Sequence, residues 1–334
     1  MHLREPGGEH KEDFASGSRA AIAGGFGFVI DMPNNDPPTV SPERLAEKIS
    51  LADAKAVCGI GFHYGTDGKN TATFAEVATN PRVFGLKIYL NPTTGDLCLR
   101  DPSLLDEVFA AWDYDKPVLV HAEGEQLLLA LELARRHGRR LHVCHISQAA
   151  EVDAVRRARG AGQLVTAGVC PHHLYLIDAD VETLHAYARM KPPLGSEGDR
   201  RALWDGLEDR TIDIVETDHA PHTIEEKLSD NPPFGVPGLE TALPLMLRAV
   251  NDGRLDLPDV VRLMHDKPRE IFGTPEPPES WVEVDPEQPY RIGHAGYQTR
   301  CSWSPFDGFR AYGPVATVVL GGREVFQGGT FFEG

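Results

Sequence analysis

Seven short apolar runs punctuate this 334-residue chain up to Thr217, and longer stretches with helical spacing lie between them. The runs are Gly25–Ile30, Val57–Phe62, Val83–Leu90, Pro117–Val120, Leu141–Cys144, Leu164–Val169 and Ile212–Thr217. Alternation of this kind reads as repeated βα units with a parallel sheet. The helices announce their starts. Ser41-Pro42 and Asp101-Pro102 each set a capping side chain before a proline at the first helical position. Ser147 precedes Gln148–Arg159, where Ala150, Val152 and Val155 keep i, i+3/i+4 spacing. The segment Glu125–His137 ends in Arg135-Arg136-His137-Gly138, cations at a helix C-terminus followed by a glycine stop. The predicted class is α/β, a (β/α)8 TIM barrel over residues 1–277 with its first strand truncated, because the missing strand falls just before His2. Residues 278–334 change character: Val315–Leu320, 322–325 and Phe331-Phe332 read as short strands around Gly-Gly turns, a small C-terminal β appendage.

Composition narrows the function classes. Hydrophobic residues make up 41%, enough for one large core, and no run approaches the roughly 20 apolar residues of a membrane span. A net charge of −17 sets nucleic acid and anionic membrane aside as partners, and requires that any anionic substrate be captured by local cations. Cys58, Cys98, Cys144, Cys170 and Cys301 are scattered and odd in number, which suits reduced thiols in a cytoplasmic protein.

The chemistry collects at strand ends. Asn34 follows the second strand of the barrel, Lys87 lies within the fourth, and His121, His145 and Asp218 end the fifth, sixth and eighth. In a βα barrel this C-terminal rim is where catalytic groups converge. With His2, three imidazoles and a carboxylate suit zinc or a similar divalent ion. Taken singly, a rim histidine is more often structural, and Asp218 could simply cap a helix. Lys87 sits in the apolar run Gly85–Leu90, where an unpaired ammonium is costly, so its amine either snorkels to the rim or is modified. The coincidence on successive strands favours a site.

These residues resemble a known set. His2-Leu3-Arg4-Glu5-Pro6-Gly7 is similar to the second half of the dihydroorotase signature Asp-x-His-x-His-Leu-Arg-x-Pro-Gly. Asp31-Met32-Pro33-Asn34-Asn35, Gly85–Asn91, Val120-His121-Ala122-Glu123, His142-Val143-Cys144-His145, Asp218–His222 and Gly235–Thr241 follow in the family's order, down to Trp303-Ser304-Pro305-Phe306. The resemblance implies a dihydroorotase of the amidohydrolase superfamily, nearest to the dihydroorotase domain of the trifunctional pyrimidine-synthesis polypeptide. It implies two divalent metals, zinc by expectation, bridged by Lys87 carboxylated by CO2. His121 and His145 would hold one metal, and His2 and Asp218 the other. Asp218 would shuttle the proton. Arg4, Asn34 and His222 would bind the substrate carboxylate, groups near Gly235 the ring, and Thr93 would lie on a lid loop. The implied reaction interconverts dihydroorotate and N-carbamoyl-L-aspartate. A homodimer and association with aspartate transcarbamoylase are further expectations of the resemblance.

Three departures qualify it. The first histidine of the His-x-His pair is absent, so His2 is expected to dangle without the strand that aims it. Met1 stands where the family commonly has Val, and a start codon upstream would restore that histidine; the competing expectation is a weak or inactive scaffold subunit. Lys191 stands where relatives carry Asn or Arg, keeping a donor without the bidentate fork. Gly168 stands where relatives carry an acidic residue, so Cys144 is expected to lack a carboxylate partner and the chain to bind two metals at most. Cys170 and His172-His173 read as structural. Hydantoinase or allantoinase is the alternative chemistry, against which Arg4 and Asn34 provide for a carboxylate that hydantoin lacks.

Overall fold

The computed structural model describes residues 1–95 and 97–332. All seven predicted strands form, β3 to β6 within one residue of their apolar runs and β1, β2 and β7 shifted or shortened by two or three: β1 (Phe28–Asp31), β2 (Gly59–Gly65), β3 (Val83–Tyr89), β4 (Val118–His121), β5 (Leu141–Val143), β6 (Val165–Val169) and β7 (Ile214–Val215). They pair in sequence order, and every pairing is parallel. The sheet curls into the barrel that the alternation predicts, with helices outside. β3 and β4 are buried at every position, as an inner layer clothed on both faces must be.

The helix starts follow their local chemistry. Ser41 accepts from the Arg44 amide with Pro42 at the first helical position, and Asp101 accepts from the Ser103 amide ahead of Pro102–Ala111. Gly138 closes Glu125–His137 at φ 65°, the left-handed conformation that glycine adopts without a Cβ penalty. The helix predicted at Gln148–Arg159 runs Ala149–Gly160. Its start is held by Glu151, whose carboxylate accepts from the Ser147 and Gln148 amides.

The N-terminal stub is integrated rather than dangling. His2 N donates to His219 O (2.7 Å) just beyond β7, and Met32 N donates to Met1 O (3.0 Å) just beyond β1. Leu3 N donates to Asp31 Oδ1 (2.8 Å), and the Leu3 side chain is buried. Two residues therefore bridge the ends of β1 and β7 at the rim, and the expectation that His2 dangles is corrected.

The tail adds β8 (Trp281–Val284), β9 (Pro289–Arg291), β10 (Arg310–Tyr312), β11 (Val315–Leu320), β12 (Arg323–Gln327) and β13 (Thr330–Phe331). β13-β12-β11-β8 make one antiparallel sheet and β10-β9 a small second one. Val318 and Phe326 belong to the same buried cluster as the barrel core. No helix among the described residues is long and apolar enough to cross a membrane.

Candidate active site

One cavity at the rim is lined by His2, Arg4, Asn34, Lys87, Thr93, His121, His145, Lys191, Asp218 and Gly235, together with Tyr89 and Phe234. Of the residues singled out from sequence, only His222 is off its wall, and it touches Arg4 directly (Arg4 Nη2 to His222 Nε2, 3.1 Å). Strand ends explain the convergence. Each βα turn lifts its first residues above the barrel, and seven turns point the same way. The local backbone is strained to achieve this: Arg4 (φ 62°), His145 (φ 37°) and Asp218 (φ 37°) are left-handed without being glycine. Three such residues in one cavity concentrate a cost that is tolerated where function requires the geometry.

The proton positions can be worked out from one side. Asn34 Nδ2 donates to Thr94 O (3.0 Å), and a carbonyl only accepts, so the amide oxygen of Asn34 faces His2 Nδ1 at 2.7 Å. His2 Nδ1 therefore carries the hydrogen, and its bare Nε2 faces Asp218 Oδ1 at 3.2 Å. Burial lowers the His2 pKa to about 4, although the nearby Asp218 carboxylate favours the protonated ring, so a proton does not settle there at neutral pH. Burial resists ionisation of Asp218, yet His2 and His145 hold its carboxyl well below the usual range. A bare nitrogen facing a buried carboxylate is an arrangement that a cation completes.

The second pair follows the same logic. His121 Nε2 lies 3.3 Å from Glu123 Oε1, which as a carboxylate can only accept, so His121 Nδ1 is the bare nitrogen. It faces His145 Nε2 at 3.0 Å, and His145 Nδ1 is buried with no partner. Burial keeps both imidazoles below their ordinary pKa, hence neutral, the form in which histidine binds metal. The carboxylate behind His121 is the orienting partner that metal-bound imidazoles commonly have.

Lys87 lines the same cavity, 1% exposed. Its ammonium donates to Cys144 Sγ (3.1 Å) and sits 5.0 Å from the Tyr89 ring centre; among the described residues it meets no carboxylate. A buried cation so poorly matched fits a lysine whose amine is converted to an anion. Among the described residues the five expected ligands form two close pairs, with Lys87 on the wall of the same cavity.

The remaining positions form the walls. Arg4 Nε donates to Pro221 O (3.1 Å), leaving part of its fork toward the cavity. Lys191 Nζ is 3.8 Å from Glu123 Oε2. Gly235 has φ 133°, and a Cβ there would sit 2.5 Å from Ala220 O, so only glycine fits. Thr93 is on the wall, and its neighbour Thr94 donates to Phe234 O (3.0 Å), tying the loop after β3 across the cavity.

One expectation is corrected. Cys144 does not lack a carboxylate: Glu216 reaches into the space left by Gly168, where a Cβ would lie 2.6 Å from its Oε1. His142, Cys144 and Glu216 have donor atoms within 4.8 Å of one another. The available signal was spacing, since Glu216 precedes Asp218 by two in the segment that follows β7.

The sequence model of the amidohydrolase family matches residues 1–274. The multifunctional protein pyr1-3 of Dictyostelium discoideum is 42% identical over 331 residues, and multifunctional protein CAD of Squalus acanthias 41% over 330, each alignment covering 98% of this chain. The chain spans 15% and 14% of those two proteins' lengths. A dihydroorotase of Halobacterium salinarum is 35% identical over 368 residues, covering 99% of this chain and 85% of that protein. Among solved structures, an L-hydantoinase from Arthrobacter aurescens superposes with TM-score 0.92 at 24% identity, covering 100% of this chain and 84% of that one, a likeness of fold alone. An inactive dihydroorotase-like domain of a CAD-like multifunctional protein from Chaetomium thermophilum superposes with TM-score 0.81 at 26% identity, covering 97% and 90%. The match over most of its length, with its rim of histidines, lysine and aspartate, means that this chain belongs to the amidohydrolase family.

Proposed function

We propose that this chain is a dihydroorotase, a metal-dependent hydrolase of a cyclic amide that interconverts dihydroorotate and N-carbamoyl-L-aspartate in pyrimidine biosynthesis. The observation that carries the reading is the bare His2 Nε2 facing the Asp218 carboxylate beside a second imidazole pair and a buried lysine that meets no carboxylate among the described residues. Likeness to dihydroorotases along nearly the whole chain supports the choice of ring.

His121 and His145 would hold one divalent ion, zinc in this reading, and His2 and Asp218 the other. The Lys87 ammonium would first lose one proton, and its neutral Nζ would then add CO2 with loss of a second, becoming a carbamate that could help hold the ions. Bound there, the ions would bring the pKa of a water toward ~7 and polarise the amide carbonyl. Asp218 accepts the proton of the attacking water and returns it to the departing ring nitrogen. Arg4 presents a planar fork to the substrate carboxylate, with Asn34 and His222 beside it. Lys191 adds a further cation at the wall, Gly235 lets backbone approach the ring, and Thr93 lies on the loop that covers it.

The test is turnover by the purified, zinc-loaded chain. Production of N-carbamoyl-L-aspartate from dihydroorotate is expected, with loss of activity and of the lysine's added CO2 mass in Lys87→Ala. Turnover of hydantoin without dihydroorotate would reverse the choice of ring. The superposition on an inactive dihydroorotase-like domain supports a second reading, a non-catalytic scaffold subunit. Absence of both metal and turnover would favour it.

A further inference from the structure

Past β6 the chain turns into a short helix, Pro171–Tyr175, and buries Cys170, His172 and His173 there, 0%, 2% and 2% exposed. Donor atoms of the three lie within 4.8 Å of one another, and none of the three lines the rim cavity. His173 Nε2 lies 3.0 Å from Pro192 O. A carbonyl can only accept, so this nitrogen carries the hydrogen and Nδ1 is a bare lone pair. His173 Nδ1 is nevertheless without a partner, and so is His172 Nε2, although the two rings are 4.4 Å apart and a thiol is adjacent. Two orphaned, buried imidazole nitrogens normally cost stability. Burial holds both rings neutral, which leaves their lone pairs free to bind.

We propose that Cys170, His172 and His173 form a second, structural site for a transition metal of the zinc class, separate from the rim. One thiolate and two imidazoles select a borderline-soft ion and disfavour magnesium or calcium, which prefer oxygen. Pro192 O supplies the backing hydrogen bond that orients a metal-bound imidazole. On binding, the sulfur–metal bond forms as the thiol proton leaves to solvent, so the site empties in acid. Its effect reaches the rim through one covalent step: Pro192 follows Lys191, so an ion fixing His173 also fixes the segment that presents Lys191. The proposal raises the metal count above the two that the sequence reading allowed, and it stands whether or not the rim turns over dihydroorotate.

His142, Cys144 and Glu216 could give the same thiolate signature, so the test must separate the two cysteines. The purified full-length chain is loaded anaerobically with Co2+, and thiolate-to-cobalt charge transfer is read in the near ultraviolet alongside metal content. Cys170→Ser is expected to lose the band and one metal equivalent per chain, while Cys144→Ser and Lys87→Ala keep the band. Persistence of the band in Cys170→Ser, or its loss in Cys144→Ser, overturns the assignment. X-ray absorption on the wild-type zinc form needs no variant, and a sulfur scatterer at about 2.3 Å is expected. A zinc shell of nitrogen and oxygen alone refutes the site even if the serine variant misfolds.

Discussion

Asn34 fixes the proton on His2, and so decides what His2 can bind. Its amide is oriented by Thr94 O, and its oxygen then takes the Nδ1 hydrogen. Asn34→Ala is expected to weaken one metal, and only one, by about 10–100-fold, the usual effect of losing an orienting partner; competition against a chromogenic chelator reads it. Arg4→Lys keeps the charge but loses the fork, so kcat/KM for dihydroorotate should fall about 10–100-fold, mostly through KM, consistent with ~1.5–3 kcal/mol for a charged hydrogen bond. A substrate without a carboxylate should be unaffected. At this scale the sequence was informative about identity and silent about protonation. Lys87, His121, His145 and Asp218 stand at strand ends, which linear order reveals. Which nitrogen of His2 or His121 is bare depends on Thr94 O and on Glu123, contacts that only the fold makes.

Between β6 and β7 the missing side chain of Gly168 and the long one of Glu216 are complementary, and the Glu216 carboxylate accepts from the His145 amide. Gly168→Ala should displace that carboxylate and destabilise the chain by roughly 1–3 kcal/mol, the typical cost of overpacking. A lower urea midpoint with unchanged m-value would show it, and an unchanged midpoint would show that Glu216 can move away freely. The barrel strands were legible because both faces of an inner strand are buried, so each reads as an unbroken apolar run. β8, β9 and β10 were not, because β8 and β9 expose half or more of their residues and β10 is only three residues long: Trp281 is 54% exposed, and β8 alternates exposed with half-buried positions. The bridging of β1 and β7 by Met1 and His2 was also illegible, since two residues carry no periodicity.

For the molecule as a whole, buried groups set opposing pH dependences: burial lowers His2, His121, His145, His172 and His173, whose contribution grows as pH rises, and raises two carboxyls, whose contribution falls. Burial pushes Glu151 and Glu240 up to about 7, against backbone donors at Ser147 and Gln148 and at Gln298 and Thr299. Below an unfolded pKa of 4.5 they are protonated in both states, and between there and about 7 only the folded chain keeps the protons. Their contribution is therefore full in acid and lost as pH rises through about 7, on the order of 1–3 kcal/mol each. With chelator present, Glu151→Gln with Glu240→Gln is expected to raise Tm over the parent chain more at pH 8 than at pH 5; an equal difference at both pH values would show that these groups do not titrate in between. Thr94 has a consequence of a different kind. It is held from one bank of the cavity by Asn34 and grips the other through Phe234 O. Parting both bonds costs roughly 2 kcal/mol, so the mouth would stand ajar only about one part in thirty of the time. The tempo of turnover would then follow the unlatching of one threonine, and Thr94→Val should quicken product escape while letting bulk water in.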